Sequence, residues 1–218
     1  MIYLLGGPPR VGKSIISSEI RRKCALSVVS TDTLCAVLEN FLSPIAVPDL
    51  FVFSKFHELP IAEQVKFILK DPAELIEYVR KESYVVWKAV EIFIRRENEE
   101  GRNILIEGVA ILPEFMSKLE DIPHQVVFIG NQGEDHKENI RKSADDNEYD
   151  WMRDASNQYI DAFSMFVKRF SGYIEHEAKT YGFMYIEMDQ KLFGDVTEKV
   201  MKSLRLSASL FHRKIIYL

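Results

Sequence analysis

Cysteine is scarce in this sequence: Cys24 and Cys35 are the two among 218 residues, eleven apart and outside any CxxC pattern. That spacing excludes a disulfide framework or a structural zinc site and suits a reducing compartment. Long apolar runs are missing too. No stretch approaches the roughly 18 residues that a membrane span needs. The apolar start, Met1 to Leu5, has no basic segment before it and is too short for a signal peptide. Positive charge is in the minority, with 28 Lys and Arg against 33 Asp and Glu for a net charge of −5. Nucleic acid and anionic membranes are therefore not expected partners. The 10 glycines and 8 prolines are scattered, with no repeat, linker or low-complexity tract. The expectation is one cytoplasmic domain over residues 1–218, whose 47% hydrophobic content can fill a core at this length.

Short apolar runs punctuate the chain at residues 2 to 5, 104 to 106, 126 to 129 and 183 to 186, with a weaker one at 26 to 29. Continuous rather than alternating, they read as buried parallel strands, and the helical segments between them predict an α/β fold. The clearest helix is capped by Asp71, carries Pro72 at its first position and Glu74 in a capping-box arrangement, and runs to about Glu99 before Gly101. Ile76, Val79, Val86, Val90 and Phe93 form its packing stripe, interrupted at Ser83. Further helices are expected at 33 to 42, 154 to 181 and 194 to 204. Residues 43 to 60, with three prolines, read as an irregular aromatic loop, and 131 to 150, with seven acids and three bases, as a mobile surface segment. The tail 207 to 218 has no assignment.

The strongest motif is Gly7-Pro8-Pro9-Arg10-Val11-Gly12-Lys13-Ser14, which satisfies GxxxxGK[ST] at every fixed position. A phosphate chain needs converging backbone N–H groups, available where glycine permits the loop, and a helix N-terminus behind them. It also needs a mobile cation, Lys13, and a hydroxyl ligand for Mg²⁺, Ser14. The context fits, since the loop follows an apolar strand and opens a helix at Lys13, Ser14 and Ile15, where Lys13 should be partly exposed. Residues Gly7 to Ile15 are thus the nucleotide-binding set, for ATP or GTP.

Two carboxylates follow strands. Asp32, in Val-Val-Ser-Thr-Asp, stands where parallel sheets place ligands and suits the base that takes the proton of an attacking hydroxyl; alternatively Thr31 or Asp32 caps the next helix. Glu107, in Ile-Leu-Ile-Glu-Gly, has the position of a Walker B acid serving Mg²⁺. Arg141, in the acidic segment, is a lid charge for the transferring phosphoryl group or a solvated side chain. His57, His124, His136, His176 and His212 show no metal-ligand spacing and read as surface or packing residues. No nucleophile elbow or paired Cys/His motif appears.

GPPRVGKS, STDTLCAVL and IEGVAILPEF, followed by a fourth strand with His136 and Arg141 beyond it, together resemble the P-loop small-molecule kinases. Within them the pattern is most similar to the 2-phosphoglycerate kinase and zeta-toxin-like branch of the nucleoside and nucleotide kinase superfamily, over about residues 1 to 155. The resemblance implies a five-stranded parallel sheet with the phosphate-loop strand central, an acceptor-binding insert at 41–102 and a lid at 131–153. It assigns Lys13 and Ser14 to phosphate and magnesium, Asp32 to the acceptor hydroxyl, Glu107 to the strand-end acid and Arg141 to the lid. Ala110 stands where the 2-phosphoglycerate kinase pattern has histidine, and the lid is short of arginines.

These readings converge on an ATP-dependent phosphotransferase acting on a small-molecule hydroxyl. A nucleotide-dependent binding module that switches a protein partner is the alternative, and a toxin-like kinase of a nucleotide sugar would differ in acceptor alone. Arg80, Tyr84 and Lys88, at spacings of four on one helical face, are the acceptor-side residues expected from the insert, or else a solvated face.

Overall fold

The structure, a computed structural model, describes residues 1–188 and 193–207. His212 and the tail beyond 207 lie outside the described residues. The chain runs β1 (Ile2–Gly6), α1 (Lys13–Cys24), β2 (Ser27–Ser30), α2 (Thr31–Phe41), a 3₁₀ turn (Pro48–Phe51), α3 (Val52–Glu58), α4 (Ile61–Lys70) and α5 (Pro72–Glu99). It continues through β3 (Ile104–Gly108), α6 (Pro113–Met116), β4 (His124–Gly130), α7 (His136–Asp145), α8 (Asn157–Thr180), β5 (Met184–Glu187) and α9 (Phe193–Ser203).

The five strands are all parallel, in the order β2-β3-β1-β4-β5. β1 is central, so the loop that leaves it opens at the middle of the sheet's carboxyl edge. Ile2, Leu4 and Leu5 of β1 and Ile104 to Ile106 of β3 are buried, which is why these strands read as unbroken apolar runs: helices cover both faces. On α8, which packs on β4 and β5 as well as on α4 and α5, Tyr159, Phe163, Phe166 and Phe170 recur every three or four residues, are all buried, and form a chain of ring contacts.

The Asp71 carboxylate accepts the amides of Ala73 and Glu74 and starts α5. The reciprocal half of the capping box is absent, because Glu74 takes the Tyr78 hydroxyl instead and the Asp71 amide already donates to Phe67 O. Three expectations need correction. Residues 43–60 are not irregular throughout: Pro48 starts the 3₁₀ turn, where its missing N–H costs nothing, and Leu50 and Phe56 anchor the turn and α3 in the core. Segment 131–150 contains α7, whose His136, Ile140 and Ala144 are buried against the protein, so its high charge belongs to the opposite face. Helix α2 begins at Thr31 rather than 33, because the Ser30 hydroxyl accepts from Asp32 N and is the cap.

Candidate functional site

The loop after β1 is shaped by three residues with positive φ: Gly7 at 149°, Arg10 at 64° and Gly12 at 92°. A Cβ on Gly7 would lie 2.2 Å from Ile129 O on the neighbouring strand, so glycine is needed there for space as well as conformation. Gly12 precedes the first turn of α1 and accepts the first helical bond, Ile16 N to Gly12 O at 3.1 Å. The amides of Lys13 to Ile15 therefore lack helical partners and face the loop's interior. A five-stranded parallel sheet with this loop on its central strand is the P-loop fold. Lys13, expected to be partly exposed, is buried: its ammonium donates to Pro8 O at 2.6 Å, and burial lowers its pKa while the charges of Asp32 and Glu107 resist that shift.

Glu107 is buried at the end of β3 and takes the Ser14 hydroxyl at 3.4 Å. Burial pushes its pKa up, and Lys13 opposes the shift. One carboxylate and one hydroxyl at a phosphate loop fit a hard cation that keeps waters and phosphate oxygens as its other ligands, which is how Mg²⁺ binds. Among the described residues no group of three or more His, Cys, Asp or Glu converges to hold a metal by itself. The donor set thus fits Mg²⁺ bound together with a nucleotide.

Asp32 sits in the first turn of α2 with an exposed side chain, freed from capping because Ser30 does that work. Its neighbour Thr31 is buried against the β3 end, accepting from Ala110 N at 3.4 Å. Gly108, at φ 151°, makes this approach possible, since a Cβ there would stand 1.8 Å from Thr31 Oγ1. Asp32 and Glu107 are thereby held on adjacent strand ends, facing Lys13.

Beyond Asp32 opens a cleft of about 540 Å³ that reaches the phosphate loop at Pro9. Asp32, Cys35 and Glu39 line it from one face of α2, and Val79, Glu82, Ser83 and Val86 from α5. Glu82 accepts from Phe53 N at 3.3 Å and Cys35 Sγ at 3.8 Å, and Glu39 accepts from the Ser54 hydroxyl. Burial drives the Glu82 pKa up to about 8, with Glu39 and Asp32 adding to the shift and the Phe53 amide opposing it. Phe53, His57 and Trp151 form an aromatic wall, with edge-on ring separations of 4.5 Å and 5.5 Å about His57. His57 is thus a cleft residue, and its burial lowers its pKa.

The segment after α7 closes one side of this cleft. Arg10 binds Asp150 through two hydrogen bonds, at 2.6 Å and 3.1 Å, and lies 5.9 Å from the centre of the Trp151 ring. His136 lies within electrostatic reach of Arg10, fully buried, with neither ring nitrogen hydrogen-bonded, and burial drives its pKa down to about 4.

Lys13, Ser14, Asp32 and Glu107 are brought together; two other expectations are not met. Arg141 donates to Arg153 O, Ala155 O and Asn157 Oδ1, so its guanidinium braces the chain between α7 and α8 and makes no bond to the phosphate loop. Arg80, Tyr84 and Lys88 lie on the wrong face of α5. Arg80 pairs with Glu77 and Glu114 and sits over Tyr173, and Lys88 lies over the Tyr84 ring, which neighbours Phe115. The cleft takes the Val79, Glu82, Ser83 and Val86 stripe instead, rotated around the helix. Sequence reasoning missed Glu39, Glu82, His57 and Trp151. The signal for the first was available, because Asp32, Cys35 and Glu39 recur at helical spacing.

No family model matches the chain. It is similar to the 2-phosphoglycerate kinases. That of Thermococcus kodakarensis is 33% identical over 122 residues, 56% of this chain and 40% of the relative. That of Methanothermobacter thermautotrophicus is 27% identical over 192 residues, 86% and 60%, and that of Methanococcus maripaludis 26% over 218 residues, 97% and 65%. The chain thus spans between two fifths and two thirds of the length of these 2-phosphoglycerate kinases. A solved shikimate kinase from Acinetobacter baumannii, in complex with shikimate, aligns over 92% of this chain and 90% of its own at 13% identity and a TM-score of 0.49.

Proposed function

We propose that this protein is a phosphotransferase that moves the γ-phosphoryl group of ATP to a hydroxyl of a small molecule. The observation that carries the reading is the joint placement of Lys13, Ser14 and Glu107 at the phosphate loop with Asp32 between that loop and an enclosed cleft. The similarity to 2-phosphoglycerate kinases supports it. The N–H groups of the loop 7–15, which Pro8 and Pro9 lack, and the Lys13 ammonium would hold the phosphates, while Ser14 and Glu107 would hold Mg²⁺, whose charge would neutralise theirs. Asp32 orients the acceptor hydroxyl and takes its proton as oxygen attacks phosphorus. Residues 41–102 act as the insert that walls one side of the cleft, and 131–153 as the lid, which contributes Trp151 to the cleft and is fastened to the phosphate loop by the Arg10–Asp150 pair. Free Cys24 and Cys35, and the absence among the described residues of any helix long and apolar enough to cross a membrane, support a cytoplasmic site of action.

The test is a thermal-shift screen of hydroxyl-bearing metabolites with a non-hydrolysable ATP analogue and Mg²⁺, followed by transfer of a radiolabelled γ-phosphate to each hit. Acceptor-dependent transfer that Lys13→Met abolishes supports the kinase. Nucleotide binding with no transfer to any hit would favour the switch module instead.

A further inference from the structure

The ionisable groups of the cleft next to Asp32 are almost all acids, of which buried Glu82 stays largely protonated at neutral pH until a cation faces it. Of the sixteen residues that line it, Asp32, Glu39 and Glu82 are carboxylic acids and none is lysine or arginine. His57, its one histidine, is driven toward the neutral form by burial. The nearby cations are committed elsewhere: Lys13 is held on Pro8 O and Arg10 is gripped by Asp150. An anionic acceptor would face these carboxylates with no cation in the cleft to offset the cost of leaving water.

The acids also retain bonding capacity. Once ionised, each can accept about four hydrogen bonds, and an ammonium placed beside Glu82 favours its ionised form. Glu82 takes one amide and one weak thiol donor, and Glu39 takes one hydroxyl. An ammonium group is all donors, so it complements what remains. The rest of the wall is apolar or aromatic: Val79, Val86 and Ala110 on one side, Phe53 and Trp151 on another. Aromatic faces attract a desolvated cation and also cover an apolar body.

Given the phosphotransferase reading above, we propose that the acceptor is an amino alcohol with an apolar body, its ammonium held by Glu82 and Glu39 and its hydroxyl presented to Asp32. It is not a phosphorylated acid of the kind that the relatives' name denotes. The hydroxyl oxygen bonds to the γ-phosphorus, the bond from that phosphorus to the β–γ bridging oxygen breaks, ADP leaves with the electron pair, and the hydroxyl proton passes to Asp32. Glu39 and Glu82 stay bound to the ammonium and select the acceptor by charge.

Three probes of matched shape test this: phenylalaninol, a cation; phenylpropanol, neutral; and phenyllactate, an anion; with 2-phosphoglycerate as a fourth. Binding is measured by calorimetry and by tryptophan fluorescence in a Trp87→Phe background that leaves Trp151 as the reporter, first without nucleotide and then with the non-hydrolysable analogue. Phenylalaninol is expected to bind at least about tenfold more tightly than phenylpropanol, and the two anions more weakly still. The isosteric variant Glu82→Gln, alone and with the half-buried Glu39→Gln, should erase most of that preference while circular dichroism shows native helix content. The proposal is overturned if either anion or phenylpropanol equals phenylalaninol, if no probe binds, or if the folded double variant keeps the full preference. A cleft that selects phenylalaninol while ATP phosphorylates no hydroxyl compound would uphold the charge selection and overturn the kinase reading.

Discussion

Arg10 and Asp150 are 140 residues apart in the chain, yet they form a two-point ion pair that fastens the segment after α7 to the phosphate loop. Their side chains are only 16% and 5% exposed, so the pair is shielded from water and salt to a degree that surface pairs are not. Arg10 has a positive φ of 64°, and the guanidinium that grips Asp150 also meets Trp151, a wall of the cleft. One residue of the phosphate loop thereby positions one wall of the cleft beside Asp32.

Asp150→Asn should therefore loosen both. The expected cost is about 1 to 3 kcal/mol of stability, as for a charged hydrogen bond that loses one ionised partner. Burial alone would raise the Asp150 pKa, but its bonds from Arg10 and the Met152 amide hold it below the ordinary carboxylate value. A depressed acid stabilises the fold above its unfolded pKa and loses that contribution as pH falls through the folded one. The melting-temperature gap between wild type and variant should thus be full at neutral pH and close in strong acid. A gap that persists unchanged below pH ~3 would show that the ion pair is not its source.

Lys13→Met should abolish phosphoryl transfer, by at least about a hundredfold, without unfolding the protein. The structure sharpens the stability half of that statement. Lys13 is buried and burial lowers its pKa, so the native state holds this cation at a cost, and an apolar side chain of similar length relieves it. Calorimetry should show an unchanged or raised melting temperature beside the lost turnover; near-normal turnover would remove the P-loop from catalysis.

Asp32→Asn keeps shape and removes the proton acceptor. Because Ser30 caps α2, the variant should fold like wild type while kcat falls by about 10² to 10⁴ and nucleotide affinity stays nearly constant. Ser30→Ala provides the contrast, costing about 0.5 to 2 kcal/mol in stability through the lost cap. If nucleotide binding collapsed in Asp32→Asn, the carboxylate would belong to the metal or phosphate side.

Arg80→Ala should act on stability, by about 1 kcal/mol, and leave the acceptor KM alone. Its guanidinium ties α5 to Glu114 of α6 and to Tyr173 of α8. A raised acceptor KM in this variant would return that face of α5 to the site.

Arg80 also shows where sequence reasoning reached its limit. The phosphate loop, the five parallel strands and the long α5 were legible because their signals are local: fixed glycines, unbroken apolar runs, an Asp-Pro helix start. Which face of α5 meets Asp32 is not a local property. Arg80, Tyr84 and Lys88 read as ligand-binding because they are polar, whereas the face with Val79 and Val86 read as packing. In the fold that apolar face is divided: Ile76 and Val90 are buried in the core away from the cleft, and Val79 and Val86, also buried, line the cleft beside Glu82. Likewise Trp151 and His57 are far apart in sequence and meet through the path of the chain after α7, for which no pattern of residues stands in.

Glu82 allows a test of the cleft's electrostatics that needs no ligand. Its ordinary pKa of 4.5 rises to about 8 in the folded protein, chiefly through burial. Folded and unfolded forms both carry the proton below about pH 4, so the group then costs nothing. Between 4.5 and 8 the unfolded chain ionises while the folded one resists, so stability falls as pH rises through that window and levels off above it. His57 pulls the other way, since burial depresses its pKa and the fold gains stability as pH rises toward the ordinary histidine value, with no further gain above it. Comparing wild type with Glu82→Gln at each pH cancels the histidine contribution. The variant's advantage in melting temperature should be smallest near pH 4 and grow toward pH 8, because glutamine keeps the side chain's shape and has no charge to desolvate. A difference that stays flat across this range would mean that Glu82 ionises freely, and that the cleft is wetter than the packing of Phe53, Cys35 and Glu39 around that carboxyl group implies.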